Sequence, residues 1–498
     1  MNRLLMICVM LTLAVQTVWG QQRYSCTHSE ATTRGRTYSL PDPRVFDRSK
    51  VYRQPVVLIS FEDTDFSMAD PKRYYDRLFN EKGYNEGTGP GCVADYFRDQ
   101  SDGLLNLQFD IYGPYKVDFA SGGHYTHYTG EEILRAACKQ MYASEETDFH
   151  IYDWDSDNLV NQVVYVAAGL TGNQVNDHIW PNTVARSYKL PGDVYSEMGS
   201  VTCELWKDST SCGIGIIIHE FAHCLGLPDV YPLTPATIFS AVDEWDLMDG
   251  GDYTGKGWCP PNLTAMEKLF LGWKQPKELT SATTVTGMKS ASKGGEIYLV
   301  RNSGNNNEYY LLENRQQEGW DYGCPGNGLL ISHVDYNRES WSNNQVNISN
   351  TYYRYDLFHA DGKDYLDWDP ANSGLDPNKY TQDNWMRNRY LSTSTYPYTD
   401  PTTQVMNDVL NDSSSPASVV FKANAEGNLF MSKPISNIRM DSDGNISFDF
   451  MKGETAIDGV PSLDNDAGLW YDLQGRRLSG KPSQKGVYIH HNKKIAIR

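Results

Sequence analysis

The 498 residues are 40 % hydrophobic, 12 % aromatic and 21 % charged, which excludes wholesale disorder, collagen or a coiled coil and leaves room for about two to four domains. Lys+Arg at 44 against Asp+Glu at 63 gives a net charge of −19. So acidic a chain suits phosphate backbones poorly, and nucleic acid is not expected among its partners.

In chain order, residues 1–20 carry a single charge, Arg3, before an apolar run from Leu4 to Val18. With small residues at Val18 and Gly20 this reads as a secretory signal peptide, too short and too early for a membrane span. No later stretch approaches twenty apolar residues, so no membrane span is expected and the mature protein should be secreted, extracellular or at the cell surface. Residues 21–50 are polar and aperiodic, a leader or short prosegment. Residues 51–275 alternate strand and helix patterns. Val56–Phe61 and Val163–Ala168 read as buried strands and Leu104–Ile111 as an alternating one. Pro71–Asn80 (with Asp70 as N-cap), Val93–Gln100 and Glu131–Met141 read as helices. Composition then shifts: 276–455 holds many short β-like runs, among them Glu296–Val300, Tyr309–Glu313, Leu329–Val334, Val419–Lys422 and Ile446–Phe450, with Asp443-Gly444 as a hairpin turn. Residues 456–468 look like a linker, and 469–498 a small β tail. Eight of the nine cysteines lie beyond the signal peptide; an exported chain permits disulfides, and Cys203 and Cys212, close in sequence, are expected to pair.

The strongest chemical signal is His219-Glu220-Phe221-Ala222-His223. Four residues along a helix turn through about 400°, so the two imidazoles lie about 40° apart on one face and can reach one zinc ion. Glu220 falls off that line, placed to act as general base toward a zinc-bound water. Gly226 offers a helix end, Pro228 prevents continuation, and Asp229 then returns a carboxylate as third ligand; Glu244 and Glu267 are the alternatives. Two histidines and a carboxylate leave a fourth position open, the mark of a catalytic site. Tyr231 and Tyr253 are candidates to steady an oxyanion or simply packing. Ser200–Leu205 reads as an edge strand on which an extended peptide could pair.

The run His219-Glu220-x-x-His223-x-x-Gly226-x-x-Asp229, followed by Trp245-Asp246-Leu247-Met248, resembles the immune inhibitor A family of secreted bacterial zinc metallopeptidases. Tyr96-Phe97-Arg98, Gly113-Pro114-Tyr115, Ile179-Trp180-Pro181, Leu271-Gly272-Trp273 and His333-Val334-Asp335 extend the likeness over about residues 50–455. It implies an α/β, metzincin-like zinc peptidase fold (a twisted sheet plus an active-site helix) followed by a mostly β half. It also implies an aspartate third ligand and Met248 in a supporting turn beneath the zinc. Cys224 beside the second histidine departs from the family pattern.

The function expected is a secreted zinc endopeptidase (EC 3.4.24.-) acting on proteins or peptides, with Glu220 as base. The alternative is an adhesin or glycan-binding surface protein with a residual metal site, which an intact Glu220 argues against. Asp153, Asp155 and Asp157 offer oxygen ligands for calcium, although Asn158 stands where glycine is typical and Val164 where an EF-hand would close with glutamate; a solvated acidic turn is the competing reading. Asp441-x-Asp443-Gly444 reads as a hairpin, and Asp367-Trp368-Asp369 as a loop. The C-terminal tail, with Tyr471–Arg477 and Lys485–Ile489, resembles tails of secreted proteins of Bacteroidetes-type bacteria, some exported by the type IX pathway, which implies secretion machinery as a partner. In the leader, Cys26 and Asp42 are candidates to block the open zinc position of a latent precursor.

Overall fold

The computed structural model describes residues 45–124, 128–232, 240–348, 352–363, 367, 391–452 and 469–497. The signal peptide, Cys26, Asp42, the 456–468 linker, Trp368 and Asp369 lie outside them.

The first half is a mixed α/β layer. Strands β1 (Val51–Phe61), β2 (Asn106–Val117), β3 (Leu159–Leu170), β4 (Asn182–Ala185), β5 (Lys189–Leu190) and β6 (Val194–Leu205) form one curled sheet in the order β2-β1-β3-β6-β4, with β5 also on β6. The β1–β2, β1–β3 and β3–β6 pairs are parallel, while β4 runs antiparallel to β6. Parallel neighbours need crossovers. These are supplied by α1 (Pro71–Asn80) and α2 (Val93–Gln100) between β1 and β2, and by α3 (Glu131–Ser144) between β2 and β3. Ten consecutive residues of β3 are buried, as expected of a strand covered on both faces. The Asp70 carboxylate caps α1 by accepting from the Arg73 N–H (3.1 Å), and α1 and α2 have the boundaries their sequence patterns predict.

Two expectations fail on register. Ser200–Leu205 is not an edge: β6 has β3 on one side and β4 on the other, and its end continues into a bridge between Leu205 and Ser211. The margin of the sheet is β4. The same hairpin separates Cys203 from Cys212. Cys212 donates its N–H to the Glu204 carbonyl (2.9 Å) and so lies opposite Glu204, one residue out of step with Cys203. Side chains alternate along a strand, so the two thiols face opposite sides of the ribbon. Cys203 packs in the main core and Cys212 with Trp206 and Ile216. All seven cysteines among the described residues are free thiols.

The second half is mostly β. A five-stranded sheet, β7 (Lys277–Glu278), β9 (Tyr298–Asn302), β10 (Asn305–Arg315), β11 (Gly328–Asp335) and β12 (Tyr355–Leu357), lies beside a three-stranded one, β8 (Thr283–Met288), β15 (Ile435–Met440) and β16 (Ile446–Phe450). The short strands β13 (Tyr398–Thr399) and β14 (Met406–Asn407) pair with each other. The Asp443-Gly444 turn joins β15 to β16 with Gly444 at φ 78°. Val419–Lys422 is not a strand, because the N–H groups of Phe421 and Lys422 are taken by the buried carboxylate of Glu308 instead of a ladder. Strands β17 (Trp470–Tyr471), β18 (Arg477–Leu478), β19 (Gly486–His490) and β20 (Lys493–Ile497) make the tail a small sheet of its own.

The main core does not stop at residue 275. It joins Val56, Val164 and Phe221 of the α/β layer to Leu311, Val334, Trp341 and Tyr355 of the β half. A second core, from Leu279 to Ile489, takes in Tyr471 and Leu473 of the tail. The hairpin register makes a direct prediction: alkylation of the unfolded, unreduced protein labels both Cys203 and Cys212. A disulfide-linked peptide carrying both in the mass spectrum would contradict the register.

Candidate metal centre

Helix α4 (Gly215–Leu225) is buried along its whole length, as befits a helix that is apolar almost all round. Its first turn runs so close to the chain after Met248 that a Cβ on Gly215 would lie 1.9 Å from the Asp252 carbonyl oxygen; only glycine fits. At the other end Gly226 adopts φ 112°. Its N–H reaches the His223 carbonyl (3.0 Å), and the Leu227 N–H reaches that of Ala222 (3.1 Å). This paired closure needs a left-handed residue and reverses the chain. Pro228 follows, and Asp229 comes back over the histidine face.

There, Asp229 Oδ1 lies 3.3 Å from His219 Nε2 and 3.2 Å from His223 Nε2. His219 Nδ1 meets the Leu247 carbonyl (2.9 Å) and His223 Nδ1 that of Leu227 (2.7 Å). A carbonyl only accepts, so each Nδ1 carries a proton, and each Nε2 is the ring nitrogen turned toward Asp229 Oδ1. His219 Nε2 is buried without a hydrogen bond of its own. Two ligand atoms on a tetrahedral zinc, each at about 2.0–2.1 Å, lie about 3.3 Å apart, so both the donor set and its spacing fit such an ion. Glu244 and Glu267 do not join the group. Glu267 instead closes a capping box with Thr264 at the start of α5 (Ala265–Phe270), accepting from the Thr264 N–H (2.6 Å).

The surrounding charge is negative. Burial opposes a proton on His219, yet Asp229, Asp252 and Glu220 lift its pKa to about 10. Burial pushes the Asp252 carboxyl well above the usual range; His219 works against this and Glu220, Asp229 and Asp249 add to it. A cation at the centre answers that crowding of carboxylates. Glu220, 1 % exposed, is held from β4: the Thr183 hydroxyl lies 2.7 Å from Glu220 Oε2 and 2.8 Å from its carbonyl oxygen. Met248 is fully buried. Its carbonyl accepts from the Val230 N–H (3.0 Å) and its own N–H donates to Asp246 Oδ1 (2.8 Å), so the turn grips both α4, through Leu247, and the returning chain. Tyr253 packs on Trp206 (ring centroids 5.8 Å) and accepts from Asn173 (3.0 Å); Tyr231 is buried.

Asp153, Asp155 and Asp157 also come together. Their carboxylates serve their own loop, Asp153 accepting from the N–H groups of Ser156 (2.7 Å) and Asn158 (2.9 Å), and Asn158 takes the left-handed φ of 67°. This geometry belongs equally to a solvated acidic turn.

Residues 171–275, which carry this centre, match the immune inhibitor A peptidase M6 catalytic domain. This segment resembles the immune inhibitor A peptidases. The chain is 23 % identical over 239 residues to the pre-pro-metalloprotease PrtV of Vibrio cholerae, covering 41 % of this chain and 26 % of that protein. It is 23 % identical over 265 residues to immune inhibitor A of Bacillus thuringiensis subsp. alesti, covering 43 % and 39 %. The chain therefore spans about a quarter to two-fifths of the length of the curated relatives it matches.

The immune inhibitor A-like segment is braced from outside itself. Arg315, fully buried in β10, makes a two-pronged pair with Asp321, Nε to Oδ2 at 2.8 Å and Nη2 to Oδ1 at 2.5 Å. It also donates to the carbonyls of Trp245 and Asn262 (both 3.2 Å). Nothing in the motif pointed to Arg315, Asp321 or Thr183; a lone Arg or Thr in a strand pattern carries no signal of its own. Removing Asp321 takes away the two short bonds and leaves the buried Arg315 charge offset by the longer contact to Glu313 (3.5 Å). Asp321→Ala should therefore lower stability by about 3–5 kcal/mol in urea unfolding; a loss under about 1 kcal/mol would show that the brace is idle.

Proposed function

We propose that this protein is a secreted zinc endopeptidase with a metzincin-like catalytic fold. The observation that carries the proposal is the buried meeting of His219 Nε2, His223 Nε2 and Asp229 Oδ1 at 3.2–3.3 Å beside Glu220, in the segment with the M6 likeness. His219, His223 and Asp229 would hold the ion. Zinc, when bound, supplies Lewis acidity toward the scissile carbonyl and toward water. The remaining work falls to the chain. Leu247 and Leu227 fix the imidazole tautomers through Nδ1. Glu220 takes a proton from the attacking water and returns it to the leaving amine nitrogen. Thr183 keeps the Glu220 carboxylate oriented, and the helix's neighbour β4 is the strand on which an extended substrate would pair.

Protein or peptide substrates follow from that chemistry. Export rests on the apolar leader of residues 1–20; no helix among the described residues is long and apolar enough to cross a membrane. None of the four central residues is more than 2 % exposed; a latent precursor, with Cys26 or Asp42 of the 21–50 stretch at the open zinc position, is a secondary proposal that rests on the sequence alone. Calcium at the Asp153 loop is a secondary proposal, supported by the clustered carboxylates; a sorting role for the tail is another, resting on the resemblance of its sequence alone.

Glu220→Ala should retain close to one zinc per chain and lose casein hydrolysis by about 10²–10⁴-fold. Thr183→Val should bind zinc as the wild type does but cleave about 10–150-fold more slowly, since a hydrogen bond to a charged group is worth about 1.5–3 kcal/mol. Zinc analysis and steady-state rates on the activated protein decide both. Wild-type rates from the Glu220 variant would overturn the assignment of the base.

A further inference from the structure

The third ligand of the proposed centre is held from the β half. Asp229 sits in a loop after a helix end, and a carboxylate on a loop can rotate. Here two bonds to one side chain stop it. Asn344 Nδ2 donates to Asp229 Oδ2 (2.7 Å), and Asn344 Oδ1 accepts from the Asp229 backbone N–H (2.6 Å). With its backbone N–H and one carboxylate oxygen both pinned to the same amide, Asp229 presents Oδ1 to the two imidazoles.

The side chain must donate with one atom and accept with the other, which a neutral amide does and an ionised carboxylate, a hydroxyl or an ammonium does not in the same geometry. Asn344 has φ 56°, a left-handed conformation that asparagine tolerates better than other side chains. It is 3 % exposed and lies two residues past α6 (Arg338–Ser342), whose Trp341 is fully buried in the main core. The Asn344 N–H points back to the Trp341 carbonyl (3.3 Å). Three residues on, Asn347 donates to the carbonyls of Val230 and Tyr355 (both 2.8 Å), tying the residue after Asp229 to β12. The loop that carries the third ligand is thus docked on the 338–357 segment by two asparagine amides.

We infer that Asn344 is a positioning residue of the metal centre, setting the orientation of Asp229 and through it the affinity for the ion. This rests on the metal reading proposed above. Outer partners of metal ligands typically contribute 10–100-fold in affinity, and the two bonds to Asp229 put Asn344 in that class.

The test uses the full chain, stripped of metal and titrated with zinc against a chromophoric chelator. Asn344→Gly accepts the left-handed φ and deletes the amide. Asn344→Asp keeps the shape, which the same backbone tolerates, and sets a second carboxylate against Asp229. Both should bind zinc about 10–100-fold more weakly than wild type. The metal-free Gly variant should unfold within a few degrees of the metal-free wild type. With cobalt(II) at saturation, both variants should show a visible spectrum altered in position or intensity, which a loss of stability alone does not produce. A wild type that binds no zinc would overturn the metal reading itself. A wild type that binds tightly, with both variants within twofold of it and the same cobalt spectrum, would overturn the role of Asn344 and leave the metal centre standing. Should Asn344→Gly fail to fold, Asn344→Asp alone decides by the same two readouts.

Discussion

Everything around α4 answers to one electrostatic constraint. Two imidazole nitrogens converge on a carboxylate oxygen at 3.2–3.3 Å in a place closed to solvent, with the carboxylates of Glu220 and Asp252 also acting on His219. Buried carboxylates that lack compensation are costly, and a cation relieves several at once. The groups facing the centre are each turned by a partner from a different part of the chain: Leu247 and Leu227 by their carbonyls, Thr183 by its hydroxyl, Asn344 by its amide. A site so assembled is only as well placed as the packing of β4, the Met248 turn and α6 against α4.

The three residues that meet, proposed here as the ligands, were legible because the helix does most of the work locally. A separation of four residues puts His219 and His223 on one face wherever a helix forms, and the Gly226-x-x-Asp229 spacing states where that helix must end. The first two helices were equally legible, since Asp70-Pro71 and the apolar spacing after Val93 mark their starts without reference to anything distant. Resemblance added Met248, whose value here lies in its backbone: its carbonyl binds the Val230 N–H while the adjacent Leu247 carbonyl orients His219. No periodicity would have found that.

What stayed hidden depends on pairings between segments far apart. Ser200–Leu205 has the composition of an edge strand, but whether a strand is an edge is settled by its neighbours, and β4 covers it. Cys203 and Cys212 are near in sequence, yet a hairpin one residue out of step sends their thiols to opposite faces. Val419–Lys422 has strand-like residues whose N–H groups are claimed by Glu308, more than a hundred positions earlier. Thr183 meets Glu220 across 37 positions and Asn344 meets Asp229 across 115; neither carries a local signature, since any well-placed hydroxyl or amide would look the same in sequence.

This division bears on what the M6 likeness means. The match over 171–275 covers α4, Asp229, the Met248 turn and Thr183, and so contains the proposed donors and the proposed base. It stops short of Arg315, Asp321 and Asn344, which brace the Trp245 carbonyl and Asp229 from the β half. The main core crosses the same boundary, from Phe221 to Trp341 and Tyr355. A local spacing can preserve the ability to bind an ion, because two histidines and a carboxylate need only a helix and its end. Holding the carboxylate at one angle needs the far segment as well. The chemistry of the centre and its geometric precision are therefore encoded in different stretches of the chain, and the β half is bonded into the site, not appended to it.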